Sequence, residues 1–160
     1  MTTLYLDMDG VIADFDEYAY RAMGLPPSGG MYPEEEWKKL VSNPRIYRDL
    51  IKTPYADDLV AFCKEYTALH NYDLKFLTAV PKGNDVPWAF YDKVKWVELH
   101  FPNIPIFFGP FSNTKAQRCE PGDILIDDRL SNITDWMGRG GRAILHKDYA
   151  TTLSKLKAFD

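Results

Sequence analysis

A chain of 160 residues, 46% hydrophobic and 14% aromatic, can bury one good core and a small appendage but not two full domains. Its formal charge of −4 and pI near 5.4 argue against a nucleic-acid coat or a polybasic membrane binder, because both need clustered lysine and arginine. Cys63 and Cys119 have no metal spacing, and no signal segment or long apolar span precedes the first strand. The expectation is therefore a reduced, cytoplasmic protein without membrane association or stable nucleic-acid binding, and a homodimer is left open.

In chain order, strand and helix signals alternate, the pattern of a parallel sheet covered on both faces. Residues 3–6 read as a first strand and 14–23 as a helix stopped by Gly24 and the Pro26-Pro27-Ser28-Gly29-Gly30 loop. A second helix follows from Pro33-Glu34-Glu35-Glu36 to about Val41, with proline and acids at its amino end. Residues 45–52 read as irregular, 56–70 as an amphipathic helix and 74–77 as a strand. More than sixty residues separate the first two strands, far beyond the ~10–12 of a minimal crossover. The expected organisation is a core of residues 1–14 and 54–160 with a small helical cap, 15–53, over the carboxyl edge of the sheet. A helix at 87–101, strands at 104–108, 124–126 and 143–145, and short helices at 131–137 and 149–156 complete the reading.

The chemistry concentrates where strands end. Leu4-Tyr5-Leu6 runs into Asp7-Met8-Asp9-Gly10, placing Asp7 at a strand's carboxyl end, where open α/β sheets hold their ligands. An Asp-x-Asp alone is weak evidence, and Asp14-Phe15-Asp16 reads as a chance copy. Context lifts the first one: Leu77-Thr78, Lys115 and Ile124-Leu125-Ile126-Asp127-Asp128 follow in order. Converging Asp7, Asp9, Asp127 and Asp128 would repel a phosphate and exceed what one lysine balances. An all-oxygen donor set without histidine or cysteine then points to Mg²⁺.

This series resembles the haloacid dehalogenase (HAD) superfamily of aspartate-nucleophile phosphatases, whose motifs are Asp-x-Asp, Ser/Thr, Lys and an acidic pair. The resemblance implies a doubly wound Rossmann-like sheet. It also implies Asp7 as nucleophile, Asp9 as general acid and base, Thr78 and Lys115 on the phosphoryl oxygens, and Mg²⁺ held by Asp7, Asp9 through its carbonyl, Asp127 and Asp128. Within the superfamily, Asp7-Met8-Asp9-Gly10-Val11-Ile12-Ala13-Asp14-Phe15 looks like the opening of the 5'(3')-deoxyribonucleotidases. Tyr47 to Pro54, Lys95 to His100 and Asp123 to Arg129 agree with that family. A small-molecule substrate, a nucleoside monophosphate, follows from the resemblance, as does a base-stacking role for Phe15.

Ala79 stands where that family has a serine, so a hydroxyl contact to phosphate is lost there and a backbone N–H remains. Lys82, four residues beyond Thr78, is either a further phosphate contact or a solvated loop lysine. Two alternatives accompany the nucleotidase: a HAD phosphatase for another phosphomonoester, such as a sugar phosphate or polynucleotide 3'-phosphate, and a non-enzymatic receiver-like phosphoacceptor. Motif order speaks against the receiver, whose phosphoacceptor lies at a middle strand after its acidic pair.

Overall fold

A computed structural model describes residues 1–159. Five parallel strands, β1 (Thr3–Leu6), β2 (Asp73–Thr78), β3 (Ile106–Phe108), β4 (Ile124–Asp127) and β5 (Arg142–Leu145), lie in the order β3-β2-β1-β4-β5. The chain builds outward from β1 to β3 and then returns to add β4 on the other side of β1. The β1–β4 boundary is therefore the topological switch point, where such sheets open a crevice at their carboxyl ends. Near-continuous burial of Leu4, Leu6, Ile124, Leu125 and Ile126 is what a sheet covered on both faces requires.

Helices α1 (Phe15–Met23), α2 (Glu34–Leu40) and α3 (Ile46–Asp49) fill the insert between β1 and α4 (Ala56–His70). Helices α5 (Ala89–His100), α6 (Leu130–Gly138) and α7 (Tyr149–Lys157) follow. The stretch expected to be irregular thus carries a helical turn, α3, because Ile46 and Tyr47 are buried against the core. The insert departs and returns side by side: Asp14 N–H donates to the Ile51 carbonyl at 2.8 Å and Thr53 N–H to that of Ile12 at 2.9 Å. It has no separate core, since Phe15, Leu40, Ile46, Tyr47 and Leu50 belong to the same apolar cluster as the sheet.

Several boundaries shift from the expectation. β3 starts after Pro105, which has no N–H for the ladder. α5 begins at Ala89, two residues beyond Pro87, while β2 extends to Thr78. Asp14 lies just ahead of α1 and caps it, its carboxylate accepting from Glu17 N–H at 3.1 Å. Among the described residues, no helix is long and apolar enough to cross a membrane.

Candidate active site

Asp7 sits at the end of β1 and Asp127 at the end of β4, held level by the Asp7 N–H bond to the Ile126 carbonyl at 2.9 Å. Beyond Asp7 the backbone turns at once, with the N–H groups of Val11, Ile12 and Ala13 all directed to the Met8 carbonyl. Gly10, at φ +81°, makes the turn, and a Cβ there would lie 1.9 Å from an Asp128 carboxylate oxygen. Asp128 therefore packs against Gly10, and oxygens of Asp7, Asp127 and Asp128 lie within 4.8 Å of one another.

Lys115 enters this cluster from a short 3-10 helix, residues 112–118, behind a loop tied to the end of β2 by Gly109 N–H to the Thr78 carbonyl and Val80 N–H to the Pro110 carbonyl. Its ammonium donates to Asp7 at 2.7 Å and to Asp127 at 3.0 Å. Burial favours the neutral form of this lysine, but the two carboxylates outweigh burial and hold it charged well above its ordinary range. Asp127 also accepts from Arg129 N–H and the Asn132 amide, and these donors with Lys115 keep it ionised against its own burial.

One lysine does not neutralise the cluster. Burial, then the charge of Asp127, pushes Asp7 up to about 7 despite Lys115. Burial, then Asp7 and Asp127, pushes Asp128 up to about 9. Hard oxygen donors crowded into an excess of negative charge are a donor set that a divalent cation such as Mg²⁺ fits. The Asp9 carboxylate is not part of that group of three.

The sequence reading missed the residue that holds Asp9. Lys93 is 1% exposed, and its ammonium donates to Asp9 at 2.9 Å, to the Thr78 hydroxyl oxygen at 2.8 Å and to the Ala79 carbonyl at 2.5 Å, using all three of its protons. It also lies 4.5 Å from the centre of the Tyr47 ring. The signal was helical spacing: Ala89, Asp92, Lys93, Trp96 and Val97 form the buried face of α5, and two charges on such a face need partners. Asp92 finds Arg45, bonded through both guanidinium and carboxylate at 2.8 and 2.6 Å. The other Asp9 oxygen is buried and without a hydrogen-bond partner among the described residues.

Asp7, Asp9, Lys115, Asp127 and Asp128 form the charged floor of a cavity of about 480 Å³ that takes a further wall from the insert, with Phe15, Gly29, Gly30, Trp37 and Tyr47 among its lining residues. Phe15 is 6% exposed. It stacks on Trp37 (centroids 6.0 Å, planes 24° apart) and touches Tyr18, Tyr32 and Tyr47. Ala79 lines the cavity. Thr78 is fully buried beneath it, and Lys82 is exposed with its ammonium 5.8 Å from the Phe111 ring, outside the lining. Asp7, Asp9, Lys115, Asp127 and Asp128 come together; Lys82 does not join them.

The family model described as 5' nucleotidase, deoxy (pyrimidine), cytosolic type C protein matches residues 1–154. A Staphylococcus epidermidis protein provisionally named a 5'(3')-deoxyribonucleotidase is 28% identical, over 84% of this chain and 78% of its own. A crystal structure of a hydrolase from Streptococcus pneumoniae TIGR4 superposes with a TM-score of 0.53 at 14% identity, covering 97% of both chains, and shares the fold. The chain belongs to the deoxy (pyrimidine) cytosolic type C 5' nucleotidase family, hydrolases of the HAD phosphatase type.

Proposed function

We propose that the protein is a Mg²⁺-dependent phosphomonoesterase of the 5'(3')-deoxyribonucleotidase kind, cleaving deoxynucleoside monophosphates to nucleoside and phosphate through an aspartyl-phosphate. The observation that carries this reading is the pairing in one cavity of a charged floor, where Lys115 bridges Asp7 and Asp127, with an aromatic wall from the insert.

An Asp7 oxygen attacks phosphorus while the bond from phosphorus to the nucleoside oxygen breaks, and Asp9 gives its proton to that oxygen. Asp9 then takes a proton from water, whose oxygen attacks the same phosphorus as the Asp7 oxygen–phosphorus bond breaks, freeing Asp7 and inorganic phosphate. The unpartnered Asp9 oxygen supports this division of labour: Lys93 fixes one side of the carboxyl group and the other is free to exchange a proton. Lys115 offsets charge on the nucleophile and the phosphoryl oxygens, and the buried backbone around Thr78 and Ala79 shapes their cradle.

Asp7, the Asp9 carbonyl, Asp127 and Asp128 would hold Mg²⁺, which supplies charge neutralisation for an anionic substrate entering an anionic site. Residues 15–53 act as the cap, with Phe15 and Trp37 as the platform for the base. Their ends meet at the Asp14–Ile51 and Ile12–Thr53 bonds, as a module set into the core would.

A screen of deoxynucleoside and nucleoside monophosphates, sugar phosphates and a 3'-phosphorylated oligonucleotide with Mg²⁺ tests the reading. Highest kcat/KM on deoxynucleoside monophosphates is expected. A sugar phosphate or the oligonucleotide end as best substrate would replace it with the corresponding alternative.

A further inference from the structure

Asp16, half of what reads in the sequence as a chance Asp-x-Asp, lies on the first turn of α1, next to Phe15, and lines the cavity. Its carboxylate accepts from Gly29 N–H at 3.1 Å, from Gly30 N–H at 3.4 Å and from the Tyr32 hydroxyl in a short bond. Gly29 and Gly30 are successive residues at φ +66° and +80°, a left-handed pair that turns neighbouring N–H groups toward one anion. Nothing lies within 4 Å of where a Cβ would stand on either glycine. Both are exposed, and both line the cavity beside Phe15 and Trp37. Burial and the bond to Asp16 push the Tyr32 hydroxyl well above its usual range, so it stays a donor, and its ring packs on Phe15 with centroids 5.6 Å apart.

We propose that Asp16 is a specificity-positioning residue: it clamps the Gly29–Gly30 loop as the rim of the compartment that receives the leaving group, and so sets nucleoside binding without taking part in the chemical step. This rests on the reading of the leaving group as a nucleoside. The clamp fixes two things at once. The glycine rim is held where it lines the cavity, and Tyr32, held by the same carboxylate, braces the Phe15 ring that Trp37 also stacks on. A neutral amide at position 16 keeps the shape but cannot serve three donors as well as a carboxylate does, because its nitrogen is itself a donor. The rim then loosens while Asp7, Asp9 and the lysines stay where they are.

The test is steady-state kinetics of wild type, Asp16→Asn and Tyr32→Phe with Mg²⁺, on a deoxynucleoside monophosphate and on a small aryl phosphate, with thermal melts of all three. The expected result is a KM for the nucleotide raised about 5- to 50-fold in Asp16→Asn, and less in Tyr32→Phe. The kcat should stay within about twofold, and aryl phosphate turnover should match wild type. Nucleotide KM unchanged in both variants, while wild type prefers the nucleotide, overturns the clamp alone. Equal losses on both substrates in variants that melt like wild type also overturn it, since Asp16 would then serve the chemical step. If Asp16→Asn does not fold, an unchanged nucleotide KM in Tyr32→Phe decides against the proposal. Wild type without preference for the nucleotide takes down the clamp and the nucleoside reading together.

Discussion

The floor of the cavity and the wall from the insert are built on opposite physical plans. The floor grows from strand ends inside a sheet fixed by parallel pairing, and its working atoms are charged, buried and mutually bonded: Lys115 to Asp7 and Asp127, Lys93 to Asp9, Thr78 and Ala79. The wall comes from three short helices and a glycine loop, and its working surfaces are rings packed on rings. Rigid placement suits a reacting phosphorus, which tolerates little displacement, whereas broad contact suits a planar base. The two plans meet where the Lys93 ammonium lies over the Tyr47 ring, so the insert packs onto the group that holds Asp9. Floor substitutions should therefore damage turnover of every phosphomonoester, and wall substitutions should separate nucleotides from simple esters.

The largest effect is expected on the floor. If Asp7 is the nucleophile, Asp7→Asn replaces an attacking carboxylate with a neutral, weakly nucleophilic amide and should cut kcat about 10⁴-fold or more on nucleotide and aryl phosphate alike, measured with purified protein of unchanged melting temperature. A nucleotide-selective loss would erase the distinction between floor and wall. Next, EDTA should silence the enzyme and Mg²⁺ restore it. Ca²⁺ should bind and support no turnover, because its longer, looser coordination misplaces the reacting groups. Asp127→Ala should weaken metal activation more than Asp128→Ala, read as the Mg²⁺ concentration for half-maximal rate. Full activity in EDTA would contradict the metal assignment.

Lys93→Met sharpens the comparison at the seam. It keeps the bulk but leaves the buried Thr78 hydroxyl oxygen and the part-buried Ala79 carbonyl and Asp9 carboxylate oxygen without their donor, a loss of about 1–3 kcal/mol for the buried hydroxyl and less for the other two. We expect a lower melting temperature and a kcat reduced about 10- to 100-fold on both substrates. A change in nucleotide KM alone would move Lys93 from floor to wall.

These expectations also show what the sequence discloses. Asp7 and Asp127 are legible because each ends a short apolar run, and strand ends at a switch point converge whatever lies between them; Lys115 is legible only through its place between them in the motif series. Lys93 is not, because its role depends on which face of α5 turns inward, and on a four-carbon side chain reaching two strand ends away from its own position. Asp16 is opaque for a different reason: two of its three partners are backbone N–H groups, which any residue carries, and the pairing is created by the left-handed turn at Gly29 and Gly30. Phe15 shows the limit of a motif. The residue is found at once, but whether its ring is stacked by neighbours or exposed to a ligand depends on Tyr18, Tyr32, Trp37 and Tyr47, brought in from three separate stretches.

The effects on catalysis of simple esters are smallest at the wall, and these are the most diagnostic. Trp37→Ala should raise the Michaelis constant for a deoxynucleoside monophosphate about 5- to 150-fold, the loss of one stacking contact, and leave aryl phosphate turnover nearly intact. Phe15→Ala should do the same but also lower stability, by about 3–5 kcal/mol for a buried phenylalanine, because its ring is enclosed by four others. Parallel losses on both substrates would make these rings supports for the fold.

The central claim is that Asp7 carries the phosphoryl group while Asp9 moves protons. Its most direct test is rapid acid quenching of Asp9→Asn protein during turnover of a deoxynucleoside monophosphate with Mg²⁺, followed by peptide mass mapping. Slowed release of the enzyme-bound phosphate should let it accumulate, and the account predicts the phosphoryl group on Asp7. Finding it on Asp127, or finding nucleoside released with no phosphorylated peptide at any time, would contradict it.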